Sequence, residues 1–322
     1  MNFIVGGDTQ ATNADGFRLS ASIFKSAFSS YPDAGFYAIL GDLTQNSTDA
    51  QWDMFFGEFA NVNAKSTFVP VSGNHDGSFK WGRFRNTFTL REQRNYTNLT
   101  GVYYSFDYGD AHIAVLNTND WFHIGTAQIN WLINDMSASD ARWKIIMTHK
   151  PVYFHYEVAP DCMALRRALG PVCDMLGIDL VFSGHKHSFT RSAPLKGHGA
   201  ADYERCEDSL FTDPEGTIYV MPGAAGGRGG DSPTFANIEI AGDTLTYRAS
   251  IYDRETDTSR PRDAFAIVKT KPGSPPSQTN LPIDPLLTLP RQLADFASRF
   301  SVMLFVDYII GGLLINLVAE LF

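Results

Sequence analysis

Phe3-Ile4-Val5-Gly6-Gly7-Asp8-Thr9-Gln10 sets the pattern for the whole chain: a short apolar run ends on two glycines, then on a carboxylate and an amide. The same arrangement returns further along. Tyr37-Ala38-Ile39-Leu40 runs into Gly41-Asp42, and Phe68-Val69-Pro70-Val71 runs into Gly73-Asn74-His75-Asp76. Ile145-Ile146-Met147 runs into His149, and Leu180-Val181-Phe182 runs into Gly184-His185-Lys186-His187. Between these runs lie longer segments with helical periodicity, the alternation that marks an α/β architecture. In such sheets ligands gather beyond the carboxyl ends of the strands, so all of these loops are expected to converge on one site.

The converging donors are the carboxylates of Asp8 and Asp42, the amide oxygen of Asn74 and the imidazoles of His149, His185 and His187. Mixed oxygen and nitrogen donors suit borderline metals. One ion would leave ligands over, whereas two ions about 3.5–4 Å apart, sharing one carboxylate, use the whole set. Asp8 and Asp42 offset only part of the charge of such a pair, so the pocket stays cationic and favours an anionic substrate. A glycine just before most ligands lets the backbone turn and approach the ions closely. His185 and His187, two residues apart on an extended segment, point the same way. A single Gly-Asp after a strand usually marks only a turn; the conjunction is what points to metal.

The chain has 322 residues, 44% hydrophobic and 19% charged, which excludes disorder and collagen-like repeats. A net charge of −9 without a basic run argues against nucleic acid as a partner. Cys162, Cys173 and Cys206 fit neither a zinc finger nor a dense disulfide framework. A helix is expected with Asp161 as N-cap and Leu165, Ala168, Leu169, Val172 and Leu176 on one face, softly interrupted at Gly170-Pro171. Strand-like runs resume at residues 217–221, 235–240 and 244–248, so the second half reads as more antiparallel. The expected organisation is a catalytic domain over residues 1–271, a proline-rich linker over 272–290 and an apolar C-terminal helix over 291–322. Residues 302–322 just reach the ~20 apolar residues a spanning helix needs, and Asp307 inside that window keeps an interfacial or partner-docked helix in competition with membrane contact. No charged n-region or cleavage site follows Met1, so the protein is cytosolic or its true start lies upstream.

In order, Gly-Asp-x-Gln, Gly-Asp, Gly-Asn-His-Asp, a lone histidine after a strand and Gly-His-x-His resemble the calcineurin-like metallophosphoesterases, over residues 2–250. Three further runs look most like the purple acid phosphatase branch: residues 111–118, His149-x-Pro151-x-Tyr153, and residues 217–223. The resemblance implies a four-layer α/β/β/α sandwich of two mixed β-sheets flanked by helices. It implies that Asp42 bridges two metal ions (Fe, Mn or Zn), that Asp8 and His187 complete one site, and that Asn74, His149 and His185 complete the other. The implied reaction is hydrolysis of a small phosphomonoester by in-line attack of a metal-bound hydroxide, with no covalent enzyme intermediate. His75 would then face the substrate and assist the leaving oxygen, with Asp76 orienting its ring. The resemblance also favours an extracytoplasmic enzyme, and the apolar tail points to attachment at a surface.

Two positions depart from the pattern. Gln10 stands where the wider superfamily usually has a metal-binding histidine, and Gln45 where purple enzymes carry the tyrosinate ligand of ferric iron. Gln10 can ligate through its amide oxygen, and without a tyrosinate the protein should be colourless. His155 and Tyr153 are candidates to line the phosphate pocket, whereas His112 reads as a packed strand residue, and His123 and His198 as surface residues. The glycine-rich residues 223–230 open no helix, so they read as a connection near the site rather than a dinucleotide loop. Arg228 within them reads better as a solvated arginine than as a substrate contact. Asn46, Asn95 and Asn98 lie in glycosylation sequons that matter only in a secretory context. The competing functions are a phosphodiesterase on the same metals and a non-catalytic module whose metal site only stabilises the fold; His75, which binds no metal in this scheme, speaks against the second.

Overall fold

The computed structural model describes residues 1–77, 84, 87–88, 102–119, 121–154, 160–196, 206–226 and 233–271, without the side chains of 121–126 and 160–161. The chain divides into two units, Met1–Pro275 and Pro276–Phe322. The expected linker and apolar helix, residues 272–322, lie outside the described residues, as do His155, His198, Arg228, Asn95 and Asn98. No helix among the described residues is long and apolar enough to cross a membrane.

Among the described residues thirteen strands build two sheets. In the first unit they run β1 (Asn2–Gly6), β2 (Phe36–Ile39), β3 (Thr67–Pro70), β4 (Tyr104–Tyr108), β5 (Ala111–Val115), β6 (Trp143–Met147) and β7 (Leu180–Phe182). There follow β8 (Phe189–Arg191), β9 (Leu210–Thr212), β10 (Ile218–Pro222), β11 (Thr234–Ala241), β12 (Thr244–Asp253) and β13 (Thr258–Val268). The helices are α1 (Ala14–Ser30), α2 (Asp49–Asn63), α3 (Trp121–Ala138) and α4 (Pro160–Leu176). One sheet has the order β3-β2-β1-β11-β12-β13-β9 and the other β4-β5-β6-β7-β10-β8. Strands β1, β2 and β3 are parallel, as are β5, β6, β7 and β10, so the loops after β1, β2, β3, β6 and β7 leave their sheets at carboxyl ends.

Alternation along β1 sets the layers. Phe3 and Val5 join the core between the sheets, with Leu40, Ile145, Leu180, Phe182 and Tyr247. Ile4 faces the other way, into a layer shared with Phe17 and Phe24 of α1, Phe55 and Phe59 of α2, and Tyr37. A strand covered on both faces reads as continuous apolar sequence, as β1 does. Asn13 caps α1 by accepting the Gly16 N–H at 3.0 Å, and Thr48 caps α2 by accepting that of Gln51 at 3.3 Å. Phe17, Ala21, Phe24 and Phe28 then line one stripe of α1. On the second sheet α3 contacts β5 and α4. The result is the expected α/β/β/α sandwich of two mixed sheets.

The stripe expected on α4 is buried: Leu165, Ala168, Leu169, Val172 and Leu176. Its start differs. The helix begins at Pro160, so Asp161 is its second residue rather than its cap, and it runs through Pro171. Proline at the first helical position lacks only an N–H that has no intrahelical partner there. His112 is packed, as read from sequence, but between two carboxylates. Its Nδ1 lies 2.6 Å from Asp107 on β4 and its Nε2 2.9 Å from Asp135 on α3, tying the β4–β5 hairpin to the helix.

Candidate metal centre

Each candidate ligand sits on a loop whose backbone is fixed by its neighbours. After β1, the Asp8 carbonyl accepts the Ala225 N–H at 3.0 Å, and the Thr9 N–H reaches the Asp42 carbonyl at 3.3 Å. After β2, Gly41 and Asp42 both have positive φ, +89° and 51°. A β-carbon on Gly41 would collide with the His149 ring, and one on Gly73 with the Asp42 backbone nitrogen. These two glycines therefore permit the close approach that the sequence pattern called for. His185 and His187, expected on an extended segment, are instead left-handed, at φ 74° and 53°. Such backbone costs of order 1–3 kcal/mol per residue and collects where a site needs it.

The donors meet in two clusters that share Asp42: Asp42 with His149 and His185, and Asp8 with Asp42 and His187. In the first, Asn74 Oδ1 lies 2.9 Å from both His149 Nε2 and His185 Nδ1, which are 3.3 Å apart. Asp42 Oδ2 lies 3.3 Å from His149 Nε2. His149 Nδ1 is 2.8 Å from the Leu40 carbonyl, so its N–H points there and its Nε2 turns to the cluster. A lone proton cannot serve Asn74 Oδ1, His185 Nδ1 and Asp42 Oδ2 together, whereas one cation can. Ligand atoms about 3 Å apart are what a shared ion with bonds of roughly 2.1 Å produces. In the second cluster His187 Nε2 is 3.7 Å from Asp8 Oδ1 and 3.4 Å from Gln10 Nε2. Gln10 Oε1 is buried without a hydrogen-bond partner, an acceptor that an ion would satisfy. The residues present therefore fit a pair of cations.

The protein's own charges report the same demand. Burial pushes Asp8 up to about 7, against the pull of His149 and with the push of Asp42. Burial also opposes charge on Asp42, but His149 and the His75 backbone N–H hold it down at about 2. Burial opposes a proton on His149, yet Asp42 and Asp8 lift it to about 9. Burial and the His149 charge drive His185 down to about 3.

His75 projects beside this cluster. Its backbone N–H donates to Asp42 Oδ1 at 2.8 Å. Its ring Nδ1 lies 2.7 Å from the Gln45 carbonyl, an acceptor that places a proton on Nδ1. The expected role of Asp76 is corrected here. Its carboxylate accepts the backbone N–H groups of Thr44 at 3.0 Å and Gly73 at 2.9 Å, fastening the loops after β2 and β3 to each other. Burial, then the Asp42 charge, pushes Asp76 up to about 7. Gln45 is thus the partner of the His75 ring, through its main-chain carbonyl and its side-chain amide, whose Nε2 lies 3.0 Å from Nδ1.

Tyr153 is 5% exposed, its ring tilted 4.5 Å from that of Tyr219 and with the Arg166 guanidinium 4.4 Å from its own, so it packs the strap after β6. The run after β5 braces the site from outside. Thr118 Oγ1 accepts the Lys150 N–H at 2.8 Å, and Asn119 donates to the Ser72 carbonyl at 2.7 Å.

The fold and this cluster together define a class, and the sequence comparison agrees. The family model of calcineurin-like phosphoesterases matches residues 1–189, and the chain belongs to that family. The chain is 26% identical over 196 residues to acid phosphatase type 7 of Mus musculus, covering 54% of this chain and 43% of that protein. It is 28% identical over 193 residues to purple acid phosphatase 15 of Arabidopsis thaliana, covering 55% and 33%. The chain thus spans less than half the length of these curated relatives. The purple acid phosphatase PPD1 from yellow lupin (Lupinus luteus) shares the fold, with a TM-score of 0.65 at 18% identity over 84% of this chain and 54% of that one.

Proposed function

We propose that this chain is a dinuclear metal-dependent phosphatase acting on small phosphomonoesters. The observation that carries the reading is the pair of ligand clusters meeting at Asp42, with the His75 ring held alongside. Asp42 would be shared, with Asp8, His187 and Gln10 on one ion and Asn74, His149 and His185 on the other. Bound ions would supply Lewis-acid charge at phosphorus and lower the pKa of the attacking water.

The chain's own residues supply the rest. Leu40, through its carbonyl, holds His149 in the tautomer that presents Nε2 to the site. The Gln45 carbonyl does the same for His75. As water forms its bond to phosphorus and the ester P–O bond breaks, the departing oxygen takes the Nε2 proton of the His75 imidazolium, which is left as the neutral ring with its Nδ1–H on the Gln45 carbonyl. A protonated Nε2 also donates to the phosphoryl oxygens before the bond breaks.

Elemental analysis, run beside hydrolysis of an aryl phosphate with and without a chelator, tests this. Two metals per chain and chelator-sensitive turnover restored by metal are expected. Turnover on diesters but not monoesters would replace the phosphatase with a phosphodiesterase, and no turnover after metal addition would leave a metal-stabilised binding module. For residues 272–322 the sequence supports a linker and a docking or anchoring helix, checked by flotation of the full chain with anionic vesicles.

A further inference from the structure

Asn74 reaches the centre from the first sheet, on the loop after β3, whereas His149 and His185 reach it from the second, on the loops after β6 and β7. Asn74 Oδ1 nevertheless lies 2.9 Å from a ring nitrogen of each histidine. A ligand set of this kind works only when held to within about 0.5 Å, so the loops of the two sheets need a common support.

Two consecutive residues after β5 touch both loops. Asn119 Nδ2 donates to the Ser72 carbonyl at 2.7 Å, and the N–H of that same peptide unit, on Gly73, donates to Asp76 at 2.9 Å. The peptide unit that ends one residue before Asn74 is therefore held by side chains at both of its polar groups. Thr118 Oγ1 accepts the Lys150 N–H at 2.8 Å, and the carbonyl of that peptide unit, on His149, accepts the Gly184 N–H at 2.9 Å. This second unit follows one ligand directly, and Gly184 directly precedes another, His185. Because Thr118 and Asn119 are neighbours in the chain, with Cα atoms about 3.8 Å apart, they fix how far the two ligand loops can separate.

The support is itself held from α3. The fully buried Gln128 accepts the Asn117 N–H at 2.7 Å and donates to the Asn117 carbonyl at 2.9 Å, while Asn117 Oδ1 accepts the Asn119 N–H at 3.0 Å. The Asn119 amide has one orientation, since the Ser72 carbonyl can only accept. Its Oδ1 is then buried without a donor among the described residues, a cost to the fold that packing alone does not require. The loops of the other cluster are tied without this segment. The Thr9 N–H reaches the Asp42 carbonyl at 3.3 Å, and the His185 N–H donates to Asp8 Oδ2 at 2.9 Å.

We propose that Thr118 and Asn119 are positioning residues for one ion of the pair. They set the affinity of the Asn74, His149 and His185 cluster and leave that of the Asp8, Gln10 and His187 cluster nearly unchanged. This rests on the two-ion assignment above and deepens it, without depending on hydrolysis.

Zinc is titrated calorimetrically into the chelator-treated full chain, with N74A and H187A showing which binding step belongs to which cluster. Asn119→Asp keeps the shape of the side chain but turns an oxygen towards the Ser72 carbonyl. In that variant the Asn74 step should weaken roughly 10–100-fold, the range for groups that orient ligands, while the His187 step stays within about twofold. Thr118→Val should weaken the same step, and Thr118→Ser, which keeps the acceptor, should restore most of it. Urea midpoints of the same chelator-treated proteins separate positioning from folding. Equal weakening of both steps, or a lowered midpoint with both affinities kept, overturns the proposal. Selective weakening in a chain that hydrolyses no phosphate ester would uphold these roles while the phosphatase reading fails. Unaltered affinities in a chain that does hydrolyse them would do the reverse.

Discussion

Asp76→Ala separates a structural carboxylate from a catalytic one. Asp76 is fully buried and receives the N–H groups of Thr44 at 3.0 Å and Gly73 at 2.9 Å, so its removal orphans two buried donors. Each orphan costs about 1–3 kcal/mol, or about 2–6 for the pair. Relief of the repulsion between Asp76 and Asp42, and of the carboxylate's own desolvation, returns part of this, leaving a net loss of about 2–4 kcal/mol. Asp76→Asn keeps one acceptor and should lose about half as much. Urea denaturation of chelator-treated protein, where metal linkage cannot mask the effect, reads the loss as a shift in midpoint. A variant with wild-type midpoint but lost turnover would refute this reasoning and return Asp76 to the role of orienting His75.

His75→Ala should keep the metal content of wild type while kcat falls by about 10²–10⁴, the range of a positioned general acid; loss of metal instead would make His75 a ligand. His112 gives a pH dependence with a defined sign. Burial opposes its proton, but the hydrogen bonds and charges of Asp135 and Asp107 outweigh that and raise its pKa in the folded state. Its contribution to stability is therefore complete below the ordinary histidine value and is lost as pH rises through the folded one. The wild-type denaturation midpoint should fall over that interval relative to His112→Gln, and parallel curves would exclude the clamp. Protein loaded with ferric iron should show no visible charge-transfer band, because none of the proposed ligands is a tyrosine or a cysteine; a purple band would require a phenolate ligand that this assignment lacks.

The parallel strands and their loops were legible because both faces of each strand are covered, which turns Phe3-Ile4-Val5 or Leu180-Val181-Phe182 into unbroken apolar runs that stop where chemistry begins. Strand β13 escaped the sequence reading. It carries Arg260, Pro261, Arg262 and Asp263 within a half-exposed segment, so side-chain polarity hides its pairing with β12. At the site, ligand types and order can be read from sequence because metal chemistry dictates them. The role of Asp76 is instead governed by main-chain partners. Asp76 looked like a partner for its neighbour but holds two distant N–H groups. That arrangement leaves no periodic trace.

The pairing of β1 with β11 matches Asn2 with Glu239 and Gly6 with Phe235, so the strand that leads to Asp8 is flanked by β2 on one side and by a segment more than two hundred residues away on the other. On a ribosome adding roughly 5–20 residues per second, the nascent chain spends on the order of 10–50 s with that edge open. Its backbone N–H and C=O groups are meanwhile available to any strand that arrives. The family match ends at residue 189, before β11 begins, so a fragment cut at that boundary would contain every proposed ligand and still lack the strand that closes the sheet beneath them. Translation speed and chaperone access across residues 190–240 should therefore govern how much active protein a cell recovers.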